Sequence, residues 1–102
     1  MTRVNKAFLK PIHPGEILKT EFLEPLGISQ NRLALAMRVP AGQISEIVQG
    51  KRSVTANTAI RLAIALKTEP EFWMRIQSRY DLESAQDRIG EMVKKEVAPV
   101  LV

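Results

Sequence analysis

The stretch SQNRLALAMRVPAGQISEIVQG, residues 29–50, decides the fold of this chain. Its first half carries Leu33, Ala34 and Met37 at i, i+1 and i+4, the spacing of one buried helical face. Ser29 precedes this face and is suited to accept a backbone N–H as the N-cap of a short helix. The pattern therefore predicts a helix of about two turns that begins directly after Ser29.

The second half of the stretch predicts another short helix. Ile44, Ile47 and Val48 recur at i, i+3 and i+4, and Gly50 follows as a helix-terminating residue. Only three residues separate the two helices, and the last of them, Pro40, suits a helix start. Two short helices joined by so tight a turn form a helix-turn-helix, whose second helix is shaped to enter a DNA major groove.

Helical patterns also flank this motif on both sides. Helices are expected from residue 13 to a break at Pro25, from 55 to 66 with Ile60 and Ile64 widening the buried stripe, and from Pro70 onward. Near Asp81 the apolar period shifts, which indicates a kink or a sixth helix. With no strand-type alternation of more than three or four residues, the expected fold class is all-α, a bundle of five or six helices.

Three parts of the chain are expected to differ in role. Residues 1–12 form a basic N-terminal arm, residues 13–82 form the helix-turn-helix domain, and residues 83–102 form a C-terminal helical extension with an apolar tail. Trp73, spaced with Ile76 and Tyr80, is expected to lie in the core or in a dimer interface.

Composition excludes several classes of protein. The chain has 102 residues, 45% apolar and 25% charged residues, and no cysteine, as in an ordinary single-domain protein without disulfides. No apolar run approaches the roughly 20 residues of a membrane span, so a cytoplasmic protein is expected. Net charge is +6 over residues 1–68 and −2 over residues 69–102, which indicates a polyanion-facing part and a protein-facing part.

Nothing in the sequence indicates an enzyme. There is no metal-ligand cluster, no nucleophile–base pair and no phosphate-binding glycine loop, and no cofactor or small-molecule substrate is expected. His13 is the only histidine, and without neighbouring ligands its expected role is local capping at the start of the first helix.

The order of these motifs resembles a known family. The chain is similar to the phage-repressor-like Xre/Cro helix-turn-helix proteins, and more closely to their HigA antitoxin branch, also called VapI-like. The segments that carry the resemblance are IHPGEIL at 12–18, FLEPLGIS at 22–29, LA at 33–34, QISEIVQGKRSVTANTAIRLA at 43–63 and TEPEFWMRIQSRYDL at 68–82. The resemblance implies a lambda-repressor-like bundle that binds operator DNA as a homodimer, represses its own operon and neutralises a HigB-type mRNA-cleaving toxin.

The resemblance also implies which residues contact DNA. Base readout is expected from Ala41, Gly42, Gln43 and Glu46, near the N-terminus of the second helix of the motif. Gln43 can pair with adenine, Glu46 can accept from cytosine, and Ala41 can touch a thymine methyl, whereas Gly42 reads nothing by side chain. Gln43 is therefore expected to be the chief direct reader, with DNA shape supplying further specificity.

Phosphate contacts are expected from basic and polar residues around the same face. These residues are Gln30, Arg32, Arg38, Gln49, Lys51, Arg52 and Ser53. Lys51 and Arg52 are the strongest candidates, because a loop directly after a recognition helix runs beside the DNA backbone. Arg61 is expected either to contact a phosphate as well or to be solvated.

Two alternatives stay open on the sequence alone. A stand-alone phage-type repressor without a toxin partner would use the same DNA chemistry, so only the neighbouring gene separates it from an antitoxin. The other alternative is an interaction module that has kept the fold and lost DNA binding, because Ala41 and Gly42 have side chains too short to read bases well.

The dimer surface is expected in the segment after Pro70, where apolar residues exceed the needs of one small core.

Overall fold

The computed structural model describes residues 10–101, and these fold into five helices without strands. The fold is the expected all-α one, with five helices rather than six. The predicted arm at 1–12 lies largely outside the described residues. The helices are α1 at residues 14–26, α2 at Gln30–Met37, α3 at Ala41–Val48, α4 at Ala56–Leu66 and α5 at Pro70–Glu96.

Helix α1 passes through Pro25 instead of breaking there. After a first α-helical turn it widens into a π-helical segment, Leu18–Leu23, in which the Glu24 N–H donates to the Lys19 carbonyl. This i→i+5 spacing relaxes the ladder just before a residue that has no N–H to donate. The helix ends only at Gly27, whose φ of 64° is the left-handed conformation that terminates helices.

The helix-turn-helix forms where local signals predict it. The Ser29 hydroxyl accepts from the Arg32 N–H at 3.1 Å and caps α2. Arg38 ends α2 in the left-handed conformation with a φ of 58°, and Pro40 is the extended N-cap of α3. Thr55 caps α4 through a bond from the Thr58 N–H. These caps fix how the chain enters and leaves each short helix.

The core collects one face of each of the five helices. Its fully buried large side chains include Leu18 of α1, Ile44 and Ile47 of α3, Leu62 of α4 and Trp73 of α5. The Trp73 indole N–H donates to the Thr68 hydroxyl at 2.8 Å, so its polar atom is satisfied inside the core. The expectation that Trp73 is a core residue is confirmed. Because both α3 isoleucines are fully buried, α3 is held firmly by its inner face.

Two expectations about apolar stripes are wrong. The period shift near Asp81 does not mark the start of a sixth helix, since α5 continues as one helix for 27 residues. The stripe changes because the first half of α5 packs on the core through Trp73 and Gln77, while the second half has no core beneath it. Ile60 and Ile64 do not widen the buried face of α4, because 51% and 77% of their surfaces are exposed.

Candidate nucleic-acid interface

The N-terminal end of α3 projects into solvent. Ala41 and Gly42 are both exposed, and a methyl group added at Gly42 would meet no atom within 4 Å. Short side chains at this tip let the helix backbone come close to whatever surface it meets. The two residues predicted there as base contacts are therefore accessible.

Gln43 follows Ala41 and Gly42, is half-buried, and has its side chain held by a hydrogen bond. Its side-chain amide donates to the Thr58 hydroxyl at 3.2 Å, and Thr58 is itself buried in α4. An amide has two N–H donors and an acceptor oxygen, so one donor and the oxygen are not used by this bond. The contact across 15 residues of chain had no signal in the sequence. It makes Gln43 a half-buried, oriented side chain rather than a freely solvated one.

Glu46 and Arg52 form a salt bridge on the exposed face of α3. The guanidinium reaches the Glu46 carboxylate at 2.7 Å through Nη2 and at 2.8 Å through Nε, and each side chain is about half exposed. The pair joins a predicted base reader to a predicted phosphate contact. Six residues separate them across the end of α3, so no helical spacing rule could have found the pair.

The loop after α3 turns back sharply and presents its basic residues. Gly50 has a φ of 77°, and the Lys51 N–H donates to the Glu46 carbonyl at 2.8 Å. Lys51 and Ser53 are exposed, and within residues 10–101 the Lys51 ammonium makes no ion pair. Of the two predicted phosphate-binding cations in this loop, Lys51 is the one that is not held in an ion pair within residues 10–101.

The remaining predicted phosphate contacts lie at the ends of the two motif helices. Gln30 is the half-buried first residue of α2, and Arg32, two residues further on, is exposed. Arg38 is exposed in the turn between α2 and α3. Gln49 closes α3 and donates to the Ser45 hydroxyl at 2.8 Å.

Arg61 has a structural role. Its Nη1 donates to the Met37 carbonyl at 2.8 Å, and its Nε donates to the Asn57 side chain at 2.8 Å. A cation that satisfies a carbonyl at the end of α2 stabilises that helix end and ties it to α4. The role of Arg61 could not be decided from the sequence, because its bond to the Met37 carbonyl spans 24 residues.

The start of α1 clamps the end of α3. A Cβ at Gly15 would lie 1.7 Å from the Ile47 carbonyl oxygen, so only glycine permits this approach. The neighbouring His13 ring accepts from the Gly15 N–H at 2.9 Å and lies 3.8 Å from the position of a Cβ on Gly50. The same ring hydrogen-bonds to the Arg52 backbone. Residues 13–15 thus fix both the last turn of α3 and the basic loop.

Burial lowers the pKa of His13 below its usual 6.5, outweighing the Asp81 carboxylate and the Arg52 hydrogen bond, which raise it. The expectation that His13 caps α1 is confirmed by its bond from Gly15. The neutral ring is needed, because a protonated Nδ1 cannot accept that bond.

A pH prediction follows from the lowered pKa. Below pH 6.5 the unfolded chain binds a proton at His13 that the folded protein binds only at lower pH, so the free energy of unfolding should decrease as pH falls through this range. Denaturant titrations between pH 7.5 and about 5.5 measure it. His13→Asn, which keeps a capping oxygen, should flatten this dependence because the chain has no other histidine. An unchanged slope in that variant would contradict the assignment.

The comparisons with known proteins agree with this geometry. The helix-turn-helix family HTH_3 matches residues 20–73. The chain is 43% identical over 91 residues to "Antitoxin HigA-1" of Vibrio cholerae, covering 89% of this chain and 86% of that protein. It is 44% identical over 75 residues to "Virulence-associated protein I" of Dichelobacter nodosus, covering 74% and 69% respectively.

A solved structure of the Pseudomonas aeruginosa antitoxin HigA with the higBA promoter superimposes with a TM-score of 0.87 at 42% identity. The match covers 90% of this chain and 100% of that one. The chain belongs to the HigA antitoxin family. As a HigA-family protein it shares the Xre-like helix-turn-helix fold, and the HPGEIL segment that suggested the family proves to contain the clamp on α3.

Two further observations concern other kinds of site. Within the part of this HigA-family chain that the structure describes, no helix is long and apolar enough to cross a membrane. The described residues also gather no group of three acidic or histidine side chains that could hold a metal ion.

Proposed function

We propose that this protein is a DNA-binding antitoxin that recognises its own operator through α3, represses its own operon as a homodimer, and neutralises a HigB-type mRNA-cleaving toxin. One observation carries the DNA part: the exposed tip of α3 stands beside a basic loop in a fold whose Pseudomonas relative was solved with its promoter. The protein acts in the cytoplasm, where its operator lies, and it has no catalytic activity of its own.

The contacts divide into two chemical classes. Ala41, Gly42 and Gln43 meet the base edges, and Gln43 pairs with adenine through its amide oxygen and the N–H that Thr58 does not bind. The anchored amide carries less rotational freedom into the complex, because Thr58 already orients it. Glu46 reaches a base only after its salt bridge with Arg52 opens.

The second class positions the protein on the phosphates. Lys51, Ser53 and Gln49 lie at the end of α3, while Gln30, Arg32 and Arg38 lie around α2. The His13 ring and the Gly15 contact hold the end of α3 and the basic loop in place, so the loop's cations have a fixed position. Preorganised phosphate contacts set the register in which α3 meets the groove.

Two substitutions separate these classes. Lys51→Ala should weaken binding to operator and random DNA alike and lower the slope of log K against log salt by about 1. Gln43→Ala should weaken operator binding by about 1–3 kcal/mol and leave random-DNA binding nearly unchanged. Fluorescence anisotropy over a salt series measures both.

The matched control is Lys94→Ala, an exposed lysine at the far end of α5. It should change neither the salt slope nor the operator preference. Absence of any binding to promoter DNA at low salt would remove the DNA function. Equal losses on operator and random DNA for Gln43→Ala would remove Gln43 as a base reader.

The antitoxin part is tested with the protein encoded beside this gene. Co-expression should restore growth to cells that carry a small ribosome-dependent nuclease, and the two proteins should co-purify. A neighbouring gene of unrelated function, or a toxin that stays active in the co-expressing cells, would instead favour a stand-alone repressor.

A further inference from the structure

Two hydroxyl groups in the first turn of α4 stand behind the Gln43 side chain. The Gln43 Nε2 lies 3.2 Å from the Thr58 Oγ1, and that oxygen lies 3.2 Å from the Thr55 Oγ1. The Thr55 oxygen also accepts from the Thr58 N–H at 3.3 Å. Because Thr58 is buried and Thr55 is exposed, these bonds connect the surface of α4 to the amide of Gln43 through a buried hydroxyl.

Each of these hydroxyl groups has a single hydrogen, which limits how the bonds can be made. When the Thr58 hydroxyl donates to Thr55, its oxygen is left to accept an N–H from Gln43. When Thr55 donates to Thr58 instead, the Thr58 hydrogen is available to the amide oxygen, and the amide turns end for end. Both arrangements satisfy the same contacts, and they differ in the direction of donation.

The two arrangements present different groups to a base. In the first, Gln43 offers its oxygen and one N–H, which match the N6 amino group and the N7 acceptor of adenine. In the second, Gln43 offers two N–H groups, which match the N7 and O6 acceptors of guanine. The direction of donation between Thr55 and Thr58 therefore decides which purine Gln43 binds through two hydrogen bonds.

We propose that Thr55 and Thr58 are specificity-determining residues that make Gln43 a reader of adenine rather than guanine. They act as positioning residues, because they orient the Gln43 amide and leave the contact with the base to it. The inference rests on the proposed DNA function and adds to it the residues that select the base.

A phosphate beside Thr55 selects the adenine-reading arrangement. Thr55 closely follows the basic loop, and the turn that it begins holds the Gln43 side chain at the start of α3. A phosphate oxygen accepts hydrogen bonds and donates none, so the Thr55 hydroxyl beside it donates its one hydrogen outward. The Thr55 oxygen then accepts from Thr58, and the Thr58 oxygen accepts from Gln43. A contact with the DNA backbone thus sets the amide before the base is read.

Competitive binding to the promoter fragment that precedes this gene tests the role of Thr58, with each adenine replaced in turn by guanine. Wild type should prefer adenine by roughly tenfold or more at the position where Gln43→Ala loses that preference. Thr58→Val keeps the shape of the side chain and removes its hydroxyl. The preference should fall by about fivefold, the worth of one hydrogen bond, while binding to random DNA stays unchanged.

A double-mutant comparison separates positioning from a general structural role. In the Gln43→Ala background, Thr58→Val should leave the ratio of adenine to guanine binding unchanged, because no amide remains to be oriented. If Thr58→Val changes that ratio equally with and without Gln43, Thr58 does not act through the amide and the proposal is overturned.

Thr55→Val should move the preference toward guanine by about tenfold, a change of direction that a general loss of affinity does not produce. Without the Thr55 oxygen, the Thr58 hydroxyl donates to the amide oxygen of Gln43. Thr55→Asn keeps an acceptor oxygen at the cap and should keep the adenine preference. Ser29→Ala is the control, since it also removes an N-cap but lies on α2.

The outcomes separate this proposal from the DNA function itself. A wild type that binds its promoter without preferring adenine overturns the proposal and keeps the DNA function, as does a Thr58→Val or Thr55→Val variant with the full adenine preference. Absence of promoter binding at low salt removes both.

Discussion

Gly15→Ala should destabilise the protein by about 3 kcal/mol or more, although alanine is the better helix former. Gly15 is the second residue of α1, where helix propensity alone predicts a gain of up to about 1 kcal/mol. The added methyl group would lie 1.7 Å from the Ile47 carbonyl oxygen and 2.9 Å from the Val48 Cα, both backbone atoms that no side-chain rotation can move. The helices must separate instead, so the sign of the effect reverses.

Thermal unfolding measures this prediction directly. For a domain of this size the loss corresponds to a fall in Tm of about 10 °C or more. Gly90→Ala is the control, since its Cβ would meet only Gln86 at an ordinary 3.8 Å and should stabilise α5 by about 0.5–1 kcal/mol. A Gly15→Ala variant as stable as wild type would show that α1 does not clamp α3. Operator affinity should fall with the same variant, because α3 and its loop would shift together.

Gln77→Leu should cost about 1–3 kcal/mol for a different reason, a buried donor left without an acceptor. The Gln77 side-chain oxygen accepts from the Val54 N–H at 2.7 Å, and its amide donates to Asp81 at 2.9 Å. Leucine has a similar volume, so packing is nearly conserved while the Val54 N–H loses its partner. The lost hydrogen bond therefore destabilises the segment between the basic loop and α4.

Hydrogen exchange distinguishes this mechanism from a general loss of packing. In Gln77→Leu the Val54 amide should exchange faster than expected from the change in global stability alone. Arg79→Ala serves as the control on the same helix, because its exposed i,i+4 pair with Glu83 is expected to contribute less than about 0.5 kcal/mol. Unchanged Val54 protection in Gln77→Leu would mean that this bond is not what holds the loop.

Local signals in the sequence predicted the helices and their caps. Ser29 and His13 cap helices within one turn of their own positions, so the neighbouring sequence is enough to predict both caps. The bounds of α2 could therefore be predicted to the residue, whereas α1 runs past the break expected at Pro25 and ends at Gly27.

Contacts between distant residues could not be predicted in this way. Gly15 meets Ile47, Arg61 meets Met37 and Gln43 meets Thr58 only because the core brings their helices together. The unbroken α5 was misread for a related reason. Its two halves face different surroundings, core for one and solvent for the other, and a change of surroundings in a continuous helix resembles a break in the sequence.

The salt bridge between Glu46 and Arg52 has a consequence for the proposed DNA binding, because Glu46 competes with phosphate for the Arg52 guanidinium. In the proposed complex, a phosphate would compete for the Arg52 guanidinium with a carboxylate held at 2.7 Å. Random DNA offers only a phosphate in exchange, and it must also tolerate the Glu46 charge that is uncovered. A sequence that presents a cytosine amino group to Glu46 satisfies both partners at once. We therefore expect the pair to favour operators that present a cytosine to Glu46 over sequences that do not.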